Sequence, residues 1–271
     1  MNDSVRAILL GLVEAVTEFL PVSSTGHMIL VLPWIGVDPE QPQWRVFLYL
    51  SQLGAIAAVI AYFWRDLARR AAALLAGGWR DHLFTKVTAA MVPTVAIGLL
   101  ADPLIERYVE NARTGPPATA VGLIVGALAM LYIDRRFRRA GEMTLDNVSM
   151  RQAVAIGFLQ CISIWPGVSR SAASILGGMT LGLTPRVATE FSFYLAIPTM
   201  VLAGGWRLWK HRGDLDADAV GVLAIGTAVA FVAALAVVAL FLRFVRTRRF
   251  TPFAYYRIVL GALVLSGIAS T

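Results

Sequence analysis

The sequence predicts an all-α membrane protein: six transmembrane helices plus two re-entrant helical hairpins, arranged as an inverted internal repeat within one transmembrane domain, 1–271. Three observations predict this. The 271 residues are 58% hydrophobic and only 15% charged, with a mean hydropathy of +0.68, whereas soluble domains average roughly 45–50% apolar. Several apolar runs approach the roughly 20 residues that a bilayer-crossing helix needs. Two further segments, one in each half, are alike, and each is interrupted by a proline.

The first segment, AILLGLVEAVTEFLPVSS from Ala7, lines up with AVAIGFLQCISIWPGVS from Ala153. The alignment pairs Gly11 with Gly157, Glu14 with Gln160 and, after one gap, Pro21 with Pro166. Each is too short before its proline and too polar after it to cross as one regular helix, so both read as re-entrant hairpins. Irregular backbone survives at membrane depth only where protein or a wet cavity satisfies its polar groups, so the two breaks should face each other inside the bundle. After the first hairpin come predicted spans at 46–64, 87–101 and 118–133, then a charged linker at 134–151. After the second come spans at 188–206, 218–242 and 253–270. Repeat one is therefore 1–133 and repeat two 152–271, and three spans per repeat make the copies inverted.

Counting Lys and Arg over this topology puts fifteen on one side and seven on the other, with Arg80 in the first set and Arg107 and Arg113 in the second. The positive-inside rule makes the first side cytoplasmic, the linker cytoplasmic and both termini periplasmic. The first apolar stretch carries Glu14 and Glu18 and no convincing cleavage site, so it is expected to stay in the mature protein. Trp34, Trp44, Trp64, Trp206 and Trp209 fall near span ends, as an aromatic belt.

The net charge of +7 does not point to nucleic acid, because Arg135, Arg136, Arg138 and Arg139, and again Arg243, Arg246, Arg248 and Arg249, abut apolar runs in a topogenic pattern. The single cysteine, Cys161, cannot form an internal disulfide and reads as a small buried hydrophobe. Arg257, a few residues into the last span, reads as snorkelling to the surface. Gln52 and Glu190 are expected to line a cavity or bond a neighbouring helix. His82 and His211, in charged loops, read as solvated.

Chemistry concentrates at the two breaks. Glu14 and Glu18 are four residues apart, so both carboxylates leave one helix face amid Leu, Val, Ala and Phe. Such a pair persists in low dielectric only with a cation between the groups, a shared proton or access to water. Pro21-Val-Ser-Ser-Thr-Gly-His27 follows, and hydroxyl, imidazole and carboxylate together are the ingredients of an activated nucleophile. Taken alone, Ser and Thr before a helix more often serve as N-caps. The second break carries Trp165-Pro-Gly-Val-Ser-Arg-Ser171, where a restarting helix aims free N–H groups at an anion and Arg170 adds a planar fork suited to phosphate oxygens.

The residues VEAVTEFLPVSSTGH from Val13, PGVSRSAAS from Pro166 and EFSFYLAIP from Glu190 resemble the signature of the bacterial undecaprenyl-diphosphate phosphatase family, the bacitracin-resistance type. The resemblance spans nearly the whole chain. It implies conversion of undecaprenyl diphosphate to the monophosphate carrier lipid that peptidoglycan synthesis reuses, in the bacterial inner membrane. It also implies a catalytic and substrate-binding set of Glu14, Glu18, Ser24, His27, Ser169 and Arg170. Ala172 and Ser174 depart from the family's usual second motif, and Ala15 stands where the first commonly has Gly.

The expected mechanism follows. A polyprenyl diphosphate enters from the outer leaflet to a site open to the periplasm. Ser169 and Arg170, with Ser23, Thr25 and Ser171, hold its phosphates. Glu14 and Glu18 bind a divalent cation, Mg²⁺ or Ca²⁺, the hard ions that oxygen ligands favour. Ser24 is the preferred nucleophile, with His27 or Glu18 shuttling the proton, and His27 is the rival nucleophile. A carrier of phospholipids or anions is the competing class, since inverted repeats with broken helices also build transporters. A non-catalytic scaffold is disfavoured by the cost of Arg170 and two acids in apolar surroundings, about 2.5–3.5 kcal/mol each. Oligomeric state is not fixed by the sequence, with a homodimer as the partner expectation.

Overall fold

Helix-favouring apolar runs, punctuated by Pro and Gly, give ten α-helices in the computed structural model, which describes residues 1–77, 79, 82–104, 115–214 and 219–267. Arg80, Arg107 and Arg113 of the charge count, and residues 268–270 of the last predicted span, lie outside the described residues. The helices are α1 (Asp3–Thr17), α2 (Ser24–Trp34), α3 (Pro42–Leu75), α4 (Leu83–Leu104), α5 (Gly115–Arg136), α6 (Met150–Gln160), α7 (Arg170–Thr180), α8 (Pro185–Lys210), α9 (Val220–Thr247) and α10 (Thr251–Leu265). No strand occurs among the described residues.

Among the described residues, five helices, α3, α4, α5, α8 and α9, are long and apolar enough to cross a membrane, as a multi-pass membrane protein requires. The run predicted as a sixth span at 253–270 is the 15-residue α10, short of a full crossing by length. Large apolar side chains on these helices face outward, such as Leu100 at 80% and Leu240 at 65% exposure. A surface of that kind suits lipid rather than water.

The helix pairings are regular. α1 packs on α9 and α6 on α4; α2 packs on α10 and α7 on α5; α3 packs on α9 and α8 on α4. Swapping the first five helices for the last five exchanges these pairs and leaves α3 with α8, and α5 with α10, unchanged. Paired glycines make the first exchange possible. A Cβ on Gly11 would lie 2.4 Å from the Gly226 carbonyl oxygen of α9, and one on Gly157 only 2.0 Å from the Ala90 carbonyl oxygen of α4. Helix backbones in lipid approach this closely only where a side chain is missing. Gly157→Ala is therefore expected to lower the thermal midpoint of the detergent-solubilised protein, by about 1–3 kcal/mol of overpacking. Gly205→Ala, where a Cβ meets nothing within 4 Å, should leave it unchanged; equal midpoints for the two variants would contradict the contact.

One end of the bundle gathers the charged loops. Asp134, fully buried, accepts from Arg138 (3.0 Å) and from the Phe250 backbone N–H (3.0 Å), joining α5 to the start of α10. Arg70 of α3 pairs with Asp66 at 2.6 Å and with Asp146 of the linker at 2.6 Å, and Tyr194 of α8 donates to the same Asp66. The aromatic-belt reading fails for Trp44, which is 2% exposed and packs edge-on to Phe47, because α3 buries that face against α1 and α9. Trp34, Trp64, Trp206 and Trp209 are exposed.

Candidate active site

α1 ends because Pro21 cannot continue it, and after six intervening residues, 18–23, the chain restarts as α2. α6 ends in a single 3₁₀ turn, Cys161–Ile164, before Pro166 and Gly167, and restarts as α7. Both restarts use the same device. Ser23 and Ser169 are the only two non-glycine residues at positive φ among those described, at 71° and 75°. Each caps its helix: the Ser23 hydroxyl accepts from the Gly26 N–H at 3.4 Å and the Ser169 hydroxyl from the Ala172 N–H at 3.3 Å. The N-cap reading of the first motif's hydroxyls is thus right for Ser23, the same device recurs at Ser169, and the backbone they hold is costly, about 1–3 kcal/mol per residue. Such strain concentrates where a turn must aim its neighbour, and the neighbours here are Ser24 and Arg170.

Glu18 lies where the two breaks meet. Its Oε2 accepts from the Ser24 hydroxyl at 2.7 Å, and its Oε1 accepts from Arg170 Nη2 at 3.4 Å, across 152 residues of chain. Phe19, fully buried edge-on to Phe193 of α8 at 5.5 Å between centroids, anchors the backbone beside it. Glu14, one helical turn earlier, is 2% exposed, and its Oε1 has no hydrogen-bond partner. Arg170 keeps two buried donors, Nε and Nη1, without a partner. Unsatisfied buried acceptors and donors of this kind cost about 1–3 kcal/mol each, and they mark what a bound cation and a bound anion would complete.

The breaks are also tied directly. Ser171 donates to the Leu20 carbonyl at 2.9 Å and lies 2.9 Å from the Ser169 hydroxyl. Ser174 joins α7 to α8 through the Ser192 hydroxyl at 2.7 Å. His27 is buried on α2, with Nδ1 2.7 Å from the Ser23 carbonyl and Nε2 2.6 Å from the Tyr256 hydroxyl of α10. Thr25 is exposed and takes no part in these bonds. Glu190 pairs with Arg186 of its own helix at 2.8 Å.

Arg257 corrects the sequence reading outright. It does not snorkel: it is 0% exposed, and it donates to the carbonyls of Pro21 (3.1 Å), Gly167 (2.9 Å) and Val168 (2.9 Å) in the two breaks. It also donates to Gly122 (3.1 Å) and Leu123 (3.3 Å) of α5. α5 admits it because a Cβ on Gly126 would sit 2.1 Å from Nη2. Backbone carbonyls freed by two broken helices need donors, and a guanidinium carries five. The sequence signals were its proximity to the span's interior and the glycines of α5, neither of which names a partner.

As a cation site, Glu14 and Glu18 supply two carboxylates, and no cluster of three metal-binding side chains occurs among the described residues. Mg²⁺ commonly takes one or two carboxylates and completes its shell with substrate phosphate and water, so the pair fits an ion that a phosphorylated substrate would help to hold.

Residues 7–263 match the family model for the bacitracin resistance protein BacA. The chain is 40% identical over 274 residues to an undecaprenyl-diphosphatase of Novosphingobium aromaticivorans, covering 99% of both chains. It is 38% identical over 268 residues to one of Nitrobacter hamburgensis, covering 99% of this chain and 98% of that one. It is 40% identical over 270 residues to one of Caldanaerobacter subterraneus subsp. tengcongensis, covering 99% and 97%.

Proposed function

The chain belongs to the bacitracin resistance protein BacA family, and from that premise we propose that it is an integral membrane phosphatase that converts undecaprenyl diphosphate to undecaprenyl phosphate and inorganic phosphate. The relatives carry that activity in their names. The observation that carries the reading here is Glu18, which accepts from a serine hydroxyl of one break and a guanidinium of the other.

Ser24 attacks the terminal phosphorus while Glu18, already 2.7 Å away, takes the hydroxyl proton. The bond to the bridging oxygen breaks, and undecaprenyl phosphate leaves with that oxygen. Water then hydrolyses the phosphoserine, restoring Ser24 and releasing phosphate. Arg170 offers Nε and Nη1 to the phosphate oxygens, with Ser169 and Ser171 beside it. A divalent cation held by Glu14 and Glu18 would neutralise diphosphate charge. Removing it with EDTA should therefore stop turnover.

The exchange of helix pairings between the halves supports an inverted repeat, with α1–α2 and α6–α7 as re-entrant hairpins and α10 as the sixth, shorter span. The clustering of Arg70, Arg138 and the linker at one end supports that end as cytoplasmic. On that topology the first hairpin enters from the periplasm and opens the site to the outer leaflet.

The test is phosphate release from farnesyl diphosphate radiolabelled at its terminal phosphate, by the purified chain in detergent, with and without EDTA, followed by parallel rapid quenches in acid, which preserves phosphoserine, and in alkali, which preserves phosphohistidine. Phosphate release lost in EDTA, with label trapped on Ser24, is the expected result. No release in detergent together with anion flux in vesicles would favour a carrier, and label on His27 would move the nucleophile.

A further inference from the structure

The two breaks are near-equivalent, yet among the described residues only the first has an imidazole returning to the carbonyl of its strained serine. Four residues after Ser169 stands Ala173; four residues after Ser23 stands His27. The His27 ring returns to the Ser23 carbonyl through Nδ1 at 2.7 Å and meets the Tyr256 hydroxyl through Nε2 at 2.6 Å. The two rings stack, 15° apart with centroids at 5.5 Å. We infer that Tyr256 is a positioning residue: it locks His27 in the tautomer that braces the strained Ser23 turn and so aims Ser24 at Glu18.

The chemistry of the partners fixes the proton. A carbonyl oxygen only accepts, so Nδ1 must carry the hydrogen that meets Ser23. In the neutral ring Nε2 is then an acceptor, and the Tyr256 hydroxyl donates to it. Ser23 needs such support because its φ of 71° lies where a side chain is strained. Its carbonyl direction is coupled through the next peptide to Ser24, whose hydroxyl must reach Glu18. The same bonds occupy both nitrogens of His27, so the ring does not present a free nitrogen to phosphorus, which agrees with Ser24 as the acceptor. The second break, which presents Arg170 rather than a nucleophile, has a longer reach to its target and no such brace.

This inference rests on the phosphatase reading only for its activity arm. The test uses the full chain in detergent, labelled with [¹⁵N]histidine; its three histidines are His27, His82 and His211, and the His27 signals are assigned by their loss in His27→Gln. The wild-type ring should be neutral with the proton on Nδ1 and a strongly hydrogen-bonded Nε2. Tyr256→Phe, which keeps the stacked ring, should shift Nε2 toward an unbonded acceptor. It should also lower kcat on farnesyl diphosphate about tenfold, the loss expected for one hydrogen bond in a positioned network, with KM within about twofold. A His27 proton on Nε2 overturns the inference. So does a fall in activity with the His27 signals unmoved, or moved signals with kcat unchanged, or no change in either. If the wild type releases no phosphate, the functional reading fails by itself, and the imidazole signals still decide whether Tyr256 sets the tautomer.

Discussion

Glu18→Gln is expected to lower phosphate release about a thousandfold, since one substitution removes both a general base and a charge partner, each commonly worth 10²–10⁴-fold. Gln keeps the shape of Glu and replaces one carboxylate oxygen with an NH₂ donor. Turned toward Ser24, that donor leaves the nucleophile without a base. Turned toward Arg170, it sets donor against donor where the carboxylate now accepts at 3.4 Å. Either orientation also withdraws a carboxylate from the pair with Glu14. Ser24→Ala should lose about as much, and the double variant little more than the worse single one, because the two groups act in one step. The measurement is kcat on farnesyl diphosphate for the two single variants and the double. Activity of Glu18→Gln within tenfold of wild type would remove Glu18 from the chemistry.

The second large effect falls on folding. Arg257→Met should remove the five carbonyl bonds at once, and it leaves the buried Pro21 and Gly167 carbonyls and the part-buried Val168 carbonyl of the two breaks without this donor. At about 1–3 kcal/mol for each unsatisfied group, offset in part by no longer burying a charge, the net loss is roughly 3 kcal/mol or more. In a chain of this size that is a fall of roughly 6–12 °C in thermal midpoint. Arg257→Lys keeps the charge but has three donors on one atom in place of a planar fork, so it should fall between. Thermal unfolding in detergent orders the three proteins; Arg257→Met melting with the wild type would show that the breaks hold themselves together. Activity should fall with it, because Ser24 and Arg170 are the first residues of the helices that start from these breaks.

The places where Pro21 and Pro166 stop their helices could be read directly, because proline's missing N–H is a property of the residue alone. Glu14 and Glu18 on one face followed in the same way from helical spacing. The five helices of crossing length followed from composition and run length. α10 fell short of its predicted span because hydropathy alone does not say where a run stops being helix.

What composition and local spacing determined, then, is the class of protein, the two helix breaks and the residue types gathered at them. The tertiary structure alone decided that Glu18 meets Arg170 across 152 residues, that Tyr256 covers His27, and that Arg257 is buried in the carbonyls of both breaks rather than reaching for the surface. The physical reason is that periodicity orders side chains around one helix axis. Which donor faces which acceptor on another helix depends on how closely the backbones approach, as at Gly126 and Gly157, and no single helix carries that information.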